Sequence, residues 1–252
     1  IAAKKTARSI EDQVSAEITQ HLREYEMTVV EGTRFGRVNG LAVTGNDAGS
    51  VLPIMAEVTP AQGESGQIIA TGISGRRQEP WLKDEESIAQ QSIKNVSALI
   101  KKFTGKDIKN MDIHIQFIGT YGAEGDSASI TIATAVISAI ESIPVRQDIA
   151  MTGSLSVRGD VLPIGGVTYK IEAAAKAGIK TVLIPRMNVG DVLIEERYKP
   201  MVTIIPVDTI DDVLKYALVP ENSESFLSKL KKMAMRSTVL IPDITVPNQT
   251  AA

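Results

Sequence analysis

Beyond Met111 the chain switches regularly between two hydrophobic periods, and that alternation restricts its fold more than any other feature. A strand-like run from Met111 to Ile118 leads into a helix from about Ser127 to Ile140. Strands near Asp148 to Thr152 and Leu155 to Arg158 follow. Gly165-Gly166 opens a further helix to Ala177, Thr181 to Ile184 is again a strand, and short elements continue to Tyr216. Each element has one apolar face to bury, and helices interleaved with strands bury theirs by stacking on a sheet. The pattern predicts an α/β (α+β) domain.

Upstream the pattern is different. Three β-rich runs, Val38 to Thr44, Val51 to Val58 and Gln67 to Thr71, are separated by Gly45-Asn46-Asp47-Ala48-Gly49 and Pro60-Ala61-Gln62-Gly63. Those separators are turn chemistry, so a small antiparallel sheet is expected at the N-terminal side of the domain. A loop through Gly72 to Lys83, holding Arg76, Arg77 and Trp81, precedes a helix from Asp84 to about Phe103. Before the sheet, Ile10, Val14, Ile18 and Leu22 recur every fourth residue over Ala2 to Tyr25, the mark of an amphipathic helix. After Pro220 a charged helix, Phe226 to Met235, passes into a tail with little periodicity. The expected division is a helical linker at 1–30, the main domain at 31–219 and a C-terminal helix and tail at 220–252. The chain opens on Ile1 and is expected to be part of a longer protein.

Composition removes several functions. A hydrophobic fraction of 43% with 23% charged residues is that of an ordinary globular protein. The net charge of −3 and the lack of any Lys/Arg block argue against nucleic-acid binding. Without cysteine there are no disulfides, thiolate zinc sites or cysteine nucleophiles, and the two histidines, His21 and His114, are too few for an ordinary metal cluster. The longest apolar stretch, around Ile130 to Ile140, is broken by Thr131, Thr134 and Ser138 and is too short to span a bilayer. No G-x-x-x-x-G-K-[ST] or G-x-G-x-x-G pattern occurs, so nucleotide binding by this chain is not expected.

Two residues carry candidate chemistry. Ser127, in Glu124-Gly125-Asp126-Ser127-Ala128-Ser129, precedes an apolar-periodic run. A serine or aspartate there reads as a helix cap, or as a nucleophile at a helix N-terminus whose free N–H groups stabilise a developing oxyanion. Lys170 lies on the helix opened by Gly165-Gly166 and neighbours Gly166, Val167, Ala173 and Ala174 by helical spacing. It is one more surface lysine, or an amine desolvated by small and apolar neighbours. A serine needs a base to take its proton, and a lysine serves only when neutral, so its pKa of about 10.4 must fall by roughly 3 units. Arginine cannot replace it, because its guanidinium stays protonated. His114, alternating with Ile113 and Ile115, reads as a half-buried structural residue, although a Ser-His-Asp triad stays formally open. Asp126 opposes a lysine base, since an anion nearby favours the protonated amine, and this suggests an inactive resting state.

The run Thr152-Gly153-Ser154-Leu155-Ser156-Val157-Arg158-Gly159-Asp160-Val161-Leu162-Pro163-Ile164-Gly165-Gly166, with Lys170-Ile171-Glu172-Ala173-Ala174 and Thr181-Val182-Leu183-Ile184-Pro185, resembles the proteolytic domain of the ATP-dependent Lon proteases. The similarity covers roughly Gly36 to Tyr216. It implies the Lon proteolytic-domain fold and a Ser–Lys dyad, with Ser127 as nucleophile, Lys170 as general base and Thr152 orienting the lysine amine. It also implies a homohexameric ring in which an AAA+ module in cis unfolds protein substrates. ATP and Mg²⁺ would belong to that module, with no cofactor or metal in this chain, and residues 1–30 would be its remnant or linker. Glu124-Gly125-Asp126-Ser127-Ala128-Ser129 departs from the usual Asp-Gly-Pro-Ser-Ala-Gly and looks like the archaeal membrane-anchored B class. That class implies a soluble fragment on the cytoplasmic side of a membrane-anchored protein. Glu124 then takes the place of a loop acid that helps switch the site. The competing expectation is a catalytically silent Lon-like structural or chaperone ring module.

Overall fold

The computed structural model describes residues 31–44, 48–63, 65–72, 95–101, 104–119, 126–219 and 228. The expected helices at Ala2 to Tyr25 and Phe226 to Met235, the loop beyond Gly72, and Glu124 lie outside the described residues.

The framework is a seven-stranded mixed sheet. Strand β2 (Arg37–Thr44) turns into β3 (Ala48–Pro60), and the two pair antiparallel from Arg37↔Met55 to Thr44↔Ala48. The expected turn run 45–49 is partly strand, since β3 already includes Ala48 and Gly49. A two-residue strand, β1 (Thr33–Arg34), comes before them and pairs with β6 (Val145–Arg146). β3 also pairs antiparallel with β5 (Met111–Phe117), whose outer neighbour is β4 (Ile68–Thr71), running parallel to it. On the other side of β2 come β7 (Ile149–Met151), β10 (Thr181–Pro185) and β11 (Thr203–Val207), all parallel. The order is β11-β10-β7-β2-β3-β5-β4.

The expected α/β (α+β) alternation therefore holds, but the N-terminal strands do not form a small antiparallel sheet of their own. β2 joins the parallel block through β7, and β4 pairs parallel to β5 instead of folding back on β3. Turn residues specify a hairpin locally and say nothing about which distant strand takes its free edge.

The strand expected over Leu155 to Arg158 is shorter and reverses. β8 (Ser154–Leu155) pairs with β9 (Val161–Leu162), and the Ser156 hydroxyl closes the turn on Asp160 Oδ2 at 2.8 Å while Gly159 takes φ 102°. Positive φ is where glycine is at ease.

Helices cover both faces. In strands successive side chains point to opposite sides. Ile149, Met151 and Leu183 join the core beneath α1 (Ser129–Glu141), together with α3 (Ile210–Ala217) and helical residues 95–101. Ala150, Val182 and Ile184 join a second core beneath α2 (Val167–Lys176). α3 starts with a reciprocal cap in which Thr209 accepts from the Asp212 N–H and Asp212 accepts from the Thr209 N–H. Among the described residues no helix is long and apolar enough to cross a membrane.

Candidate active site

The two candidate residues belong to segments on opposite faces of the sheet, Ser127 in the turn before α1 and Lys170 on α2. β2, β7, β10 and β11 run the same way, and their carboxyl ends point to one rim, the usual place for a site in such sheets. Ser127 is in a 3-10 turn, Asp126–Ala128, directly before α1. Thr152-Gly153, leaving β7, hold that turn: the Gly153 N–H donates to the Ser127 carbonyl at 2.8 Å, and the Ile130 N–H donates to the Gly153 carbonyl at 3.2 Å. Gly153 can approach this closely because it lacks a side chain. A Cβ there would stand 3.0 Å from both Ile130 Cδ1 and Val161 Cγ1.

The helix-cap reading of this loop does not describe what is found. α1 begins at Ala128 as N-cap, and no side chain caps it. Asp126 turns its carboxylate to Ser154, whose hydroxyl donates to Oδ2 at 2.6 Å, while its carbonyl accepts from the Ser129 hydroxyl at 2.5 Å. Thr152 is fully buried, and its hydroxyl donates to the Ser127 carbonyl at 3.3 Å.

Lys170 is not a surface lysine. It is 3% exposed, on the buried side of α2. α2 lies on the turn end of the β2–β3 hairpin: a Cβ at Gly49 would collide with the Tyr169 carbonyl, and one at Gly166 would meet Val43 Cγ2 at 2.7 Å. Burial pushes the amine down from 10.5 to about 8, and the Asp126 carboxylate opposes part of that fall. Asp126 of the serine turn is thus a charge that acts on the Lys170 amine.

Asp126, Ser127, Thr152 and Lys170 are thus brought together. His114 is not. It pairs in register with Glu57, towards the opposite end of β3 from the site, and it is exposed rather than half-buried, lining a shallow groove with Met55, Glu57 and Ile69. A triad through His114 is ruled out by that placement. Two further polar residues, with no role evident from sequence, hold nearby segments: Ser154 binds the Asp126 carboxylate, and Asn188 binds the Ile164 backbone ahead of α2. Ser154 follows the strand end directly and was visible in the Thr152-Gly153-Ser154 run. Asn188 carries no local signal, because its partner is Ile164, far along the chain.

A serine in the turn before α1 and a desolvated lysine on α2 are groups of the kind a serine peptidase uses. The family model of the Lon protease (S16) C-terminal proteolytic domain matches residues 10–220. The archaeal Lon protease of Methanothermobacter thermautotrophicus is 53% identical over 236 residues, covering 93% of this chain and 35% of that protein. The archaeal Lon protease of Archaeoglobus fulgidus is 52% identical over 238 residues, 93% of this chain and 37% of its own length. Lon protease 1 of Myxococcus xanthus is 40% identical over 195 residues, 76% of this chain and 22% of its own length. The chain belongs to the Lon C-terminal proteolytic domain family. It spans about a third of the length of the archaeal relatives it matches.

Proposed function

We propose that this domain is a serine endopeptidase in which Ser127 attacks the peptide carbonyl and Lys170 is the base. The supporting observation is the buried Lys170 amine, held at about 8 by desolvation. About a tenth of such amines are neutral at pH 7, against fewer than about one in a thousand for an ordinary lysine. The Ser127 Oγ proton passes to Lys170 Nζ as Oγ bonds to the carbonyl carbon. Lys170 then returns the proton to the leaving amine, and water releases the acyl group by the same route. The uncapped start of α1 favours negative charge beside Ser127. Thr152 anchors the Ser127 backbone, and its hydroxyl oxygen keeps lone pairs that can accept from the amine.

Asp126 holds this machinery in a resting state. Anchored by Ser154, its carboxylate favours protonated Lys170, and Glu124 is the second acid assigned to the switch. In the whole protein, ATP hydrolysis by an AAA+ module in cis would unfold protein substrates and feed them to a hexameric ring of these domains, and the pattern Glu124 to Ser129 supports the membrane-anchored archaeal class. The substrate adds as a strand to an exposed sheet edge, where main-chain pairing tolerates varied side chains. Casein cleavage by the Lys170→Ala protein is the test. Loss of cleavage is expected, and full retention removes the dyad.

A further inference from the structure

The geometry points to Asn188 as a positioning residue for Lys170: it closes a hydrogen-bonded ring around the start of α2 that keeps the helix, and with it the lysine, seated against the sheet. The inference rests on the dyad reading above, and it concerns a residue that touches neither substrate nor nucleophile.

The start of α2 needs such a device. Its N-cap is Gly166 in the left-handed region at φ 68°, and no side chain caps it. A Cβ added to Gly165 before it would meet nothing within 4 Å. Two successive glycines let the chain swing, so nothing local sets where the first turn begins.

Asn188 supplies what is missing. It is 3% exposed, in the 3-10 segment Arg186–Asp191 that follows β10. Its Oδ1 accepts from the Ile164 N–H at 2.9 Å, and its Nδ2 donates to the Ile164 carbonyl at 3.0 Å. That two-point grip fixes both position and orientation of the segment entering α2, as a strand neighbour would. The same Nδ2 donates to Asp191 Oδ2 at 2.8 Å. Asp191 then reaches the helix itself, because its carbonyl accepts from the Thr168 hydroxyl at 3.0 Å, and Thr168 Oγ1 accepts from the Leu193 N–H at 3.0 Å. Ile164, Asn188, Asp191 and Thr168 form a loop of contacts spanning the glycine pair, and Lys170 stands two residues beyond it. Both polar atoms of the Asn188 side chain are used, so an apolar replacement leaves the half-buried Ile164 N–H and carbonyl without their partner.

Loosening this ring lets α2 lift and admits water to the amine. Among the described residues the charged group acting on Lys170 is Asp126 of the serine turn. Asp191 is engaged by Asn188, and Glu172 Oε1 accepts from the Glu195 N–H at 3.2 Å. Removing Asn188 therefore changes solvation of the lysine, not its anionic neighbour.

The test is a titration of the Lys170 amine by NMR, with ¹³C-labelled lysine and the Lys170→Ala protein for assignment, alongside the pH profile of kcat/KM on a fluorogenic peptide. In Asn188→Ala the amine is expected to titrate about one unit higher, with kcat/KM at pH 7 about tenfold lower and KM unchanged. Val213→Ala, a cavity in the other core under α1, lowers Tm but leaves the titration where it was. An Asn188→Ala protein with reduced Tm and an unmoved Lys170 titration overturns the inference. If Asn188→Ala does not fold, Thr168→Val cuts the same ring at its other side, and an unmoved titration there is equally fatal. Activity surviving in Lys170→Ala removes the dyad, whereas an unmoved titration with an inactive Lys170→Ala removes only the role of Asn188.

Discussion

The helix that follows Ser127 and the helix that carries Lys170 are held by different physics. α1 is sunk in the molecule: eleven of its 13 residues are buried. Its buried hydroxyls bond inside the molecule, with Thr134 donating to the Ile130 carbonyl at 2.7 Å and Ser138 to the Ile143 carbonyl at 2.5 Å. Packing places it, and close-packed interiors yield little. α2 buries six of its 10 residues, starts on a glycine pair, and is tied down by Asn188, Thr168 and Glu172. An error in α1 misplaces an oxygen and costs stability. An error in α2 changes the dielectric around an amine, and so changes a pKa. The proposed serine–lysine site needs both, a fixed nucleophile and a dry base, and would draw them from opposite faces of one sheet.

The largest effect should come from the dyad itself. Ser127→Ala and Lys170→Arg are each expected to lower kcat/KM about a thousandfold, arginine failing because it never becomes neutral. A Lys170→Arg enzyme with near-parental activity would remove the lysine half of the comparison.

Stability should move the other way. The folded-state pKa of Lys170 lies below the unfolded one, so the unfolded chain binds more protons between about pH 8 and 10.5, and stability rises with pH across that window. Below pH 8 the full cost of burying the amine is present, about 3 kcal/mol. Lys170→Met should therefore be the more stable protein at pH 7 by about that amount, with the advantage fading by pH 10.5. Chemical denaturation at the two pH values checks the sign.

Glycine replacements separate the two helices more finely. Gly49→Ala drives a Cβ into the Tyr169 carbonyl, and a backbone group cannot step aside, so α2 must shift. About a hundredfold loss of kcat/KM is expected, with Lys170 titrating closer to an ordinary lysine. Gly153→Ala meets only the ends of Ile130 and Val161, at 3.0 Å, and costs about 1 kcal/mol of stability with little change in that titration. Equal titration shifts in the two variants would erase the distinction.

The smallest effect belongs to Asp126→Asn. Without the carboxylate the Lys170 pKa falls further, so the ascending limb of the pH profile moves to lower pH and kcat/KM at pH 7 rises by less than about tenfold, because the acid is exposed and partly screened. A fall in activity would reverse the sign given to Asp126.

Much of the fold was legible locally. The β2–β3 hairpin followed from its turn residues, and α1 and α2 from their apolar period and the Gly165-Gly166 opening. The reversal at Ser156 to Asp160 was missed because a run of strand formers conceals a turn closed by one hydroxyl. The pairing of β4 with β5 was missed because an edge strand's partner is chosen by the whole sheet.

The chain's own pattern determined the class of fold and, through its resemblance to Lon proteases, which serine and which lysine to watch. It could not say that Lys170 is dry, since its helix neighbours Gly166, Val167, Ala173 and Ala174 suit a surface as well as an interior. That was decided when α2 settled on the β2–β3 hairpin and Thr152-Gly153 drew the serine turn to the same rim. Period and turn chemistry act over a few residues, but the solvation that sets a pKa comes from segments far apart in sequence.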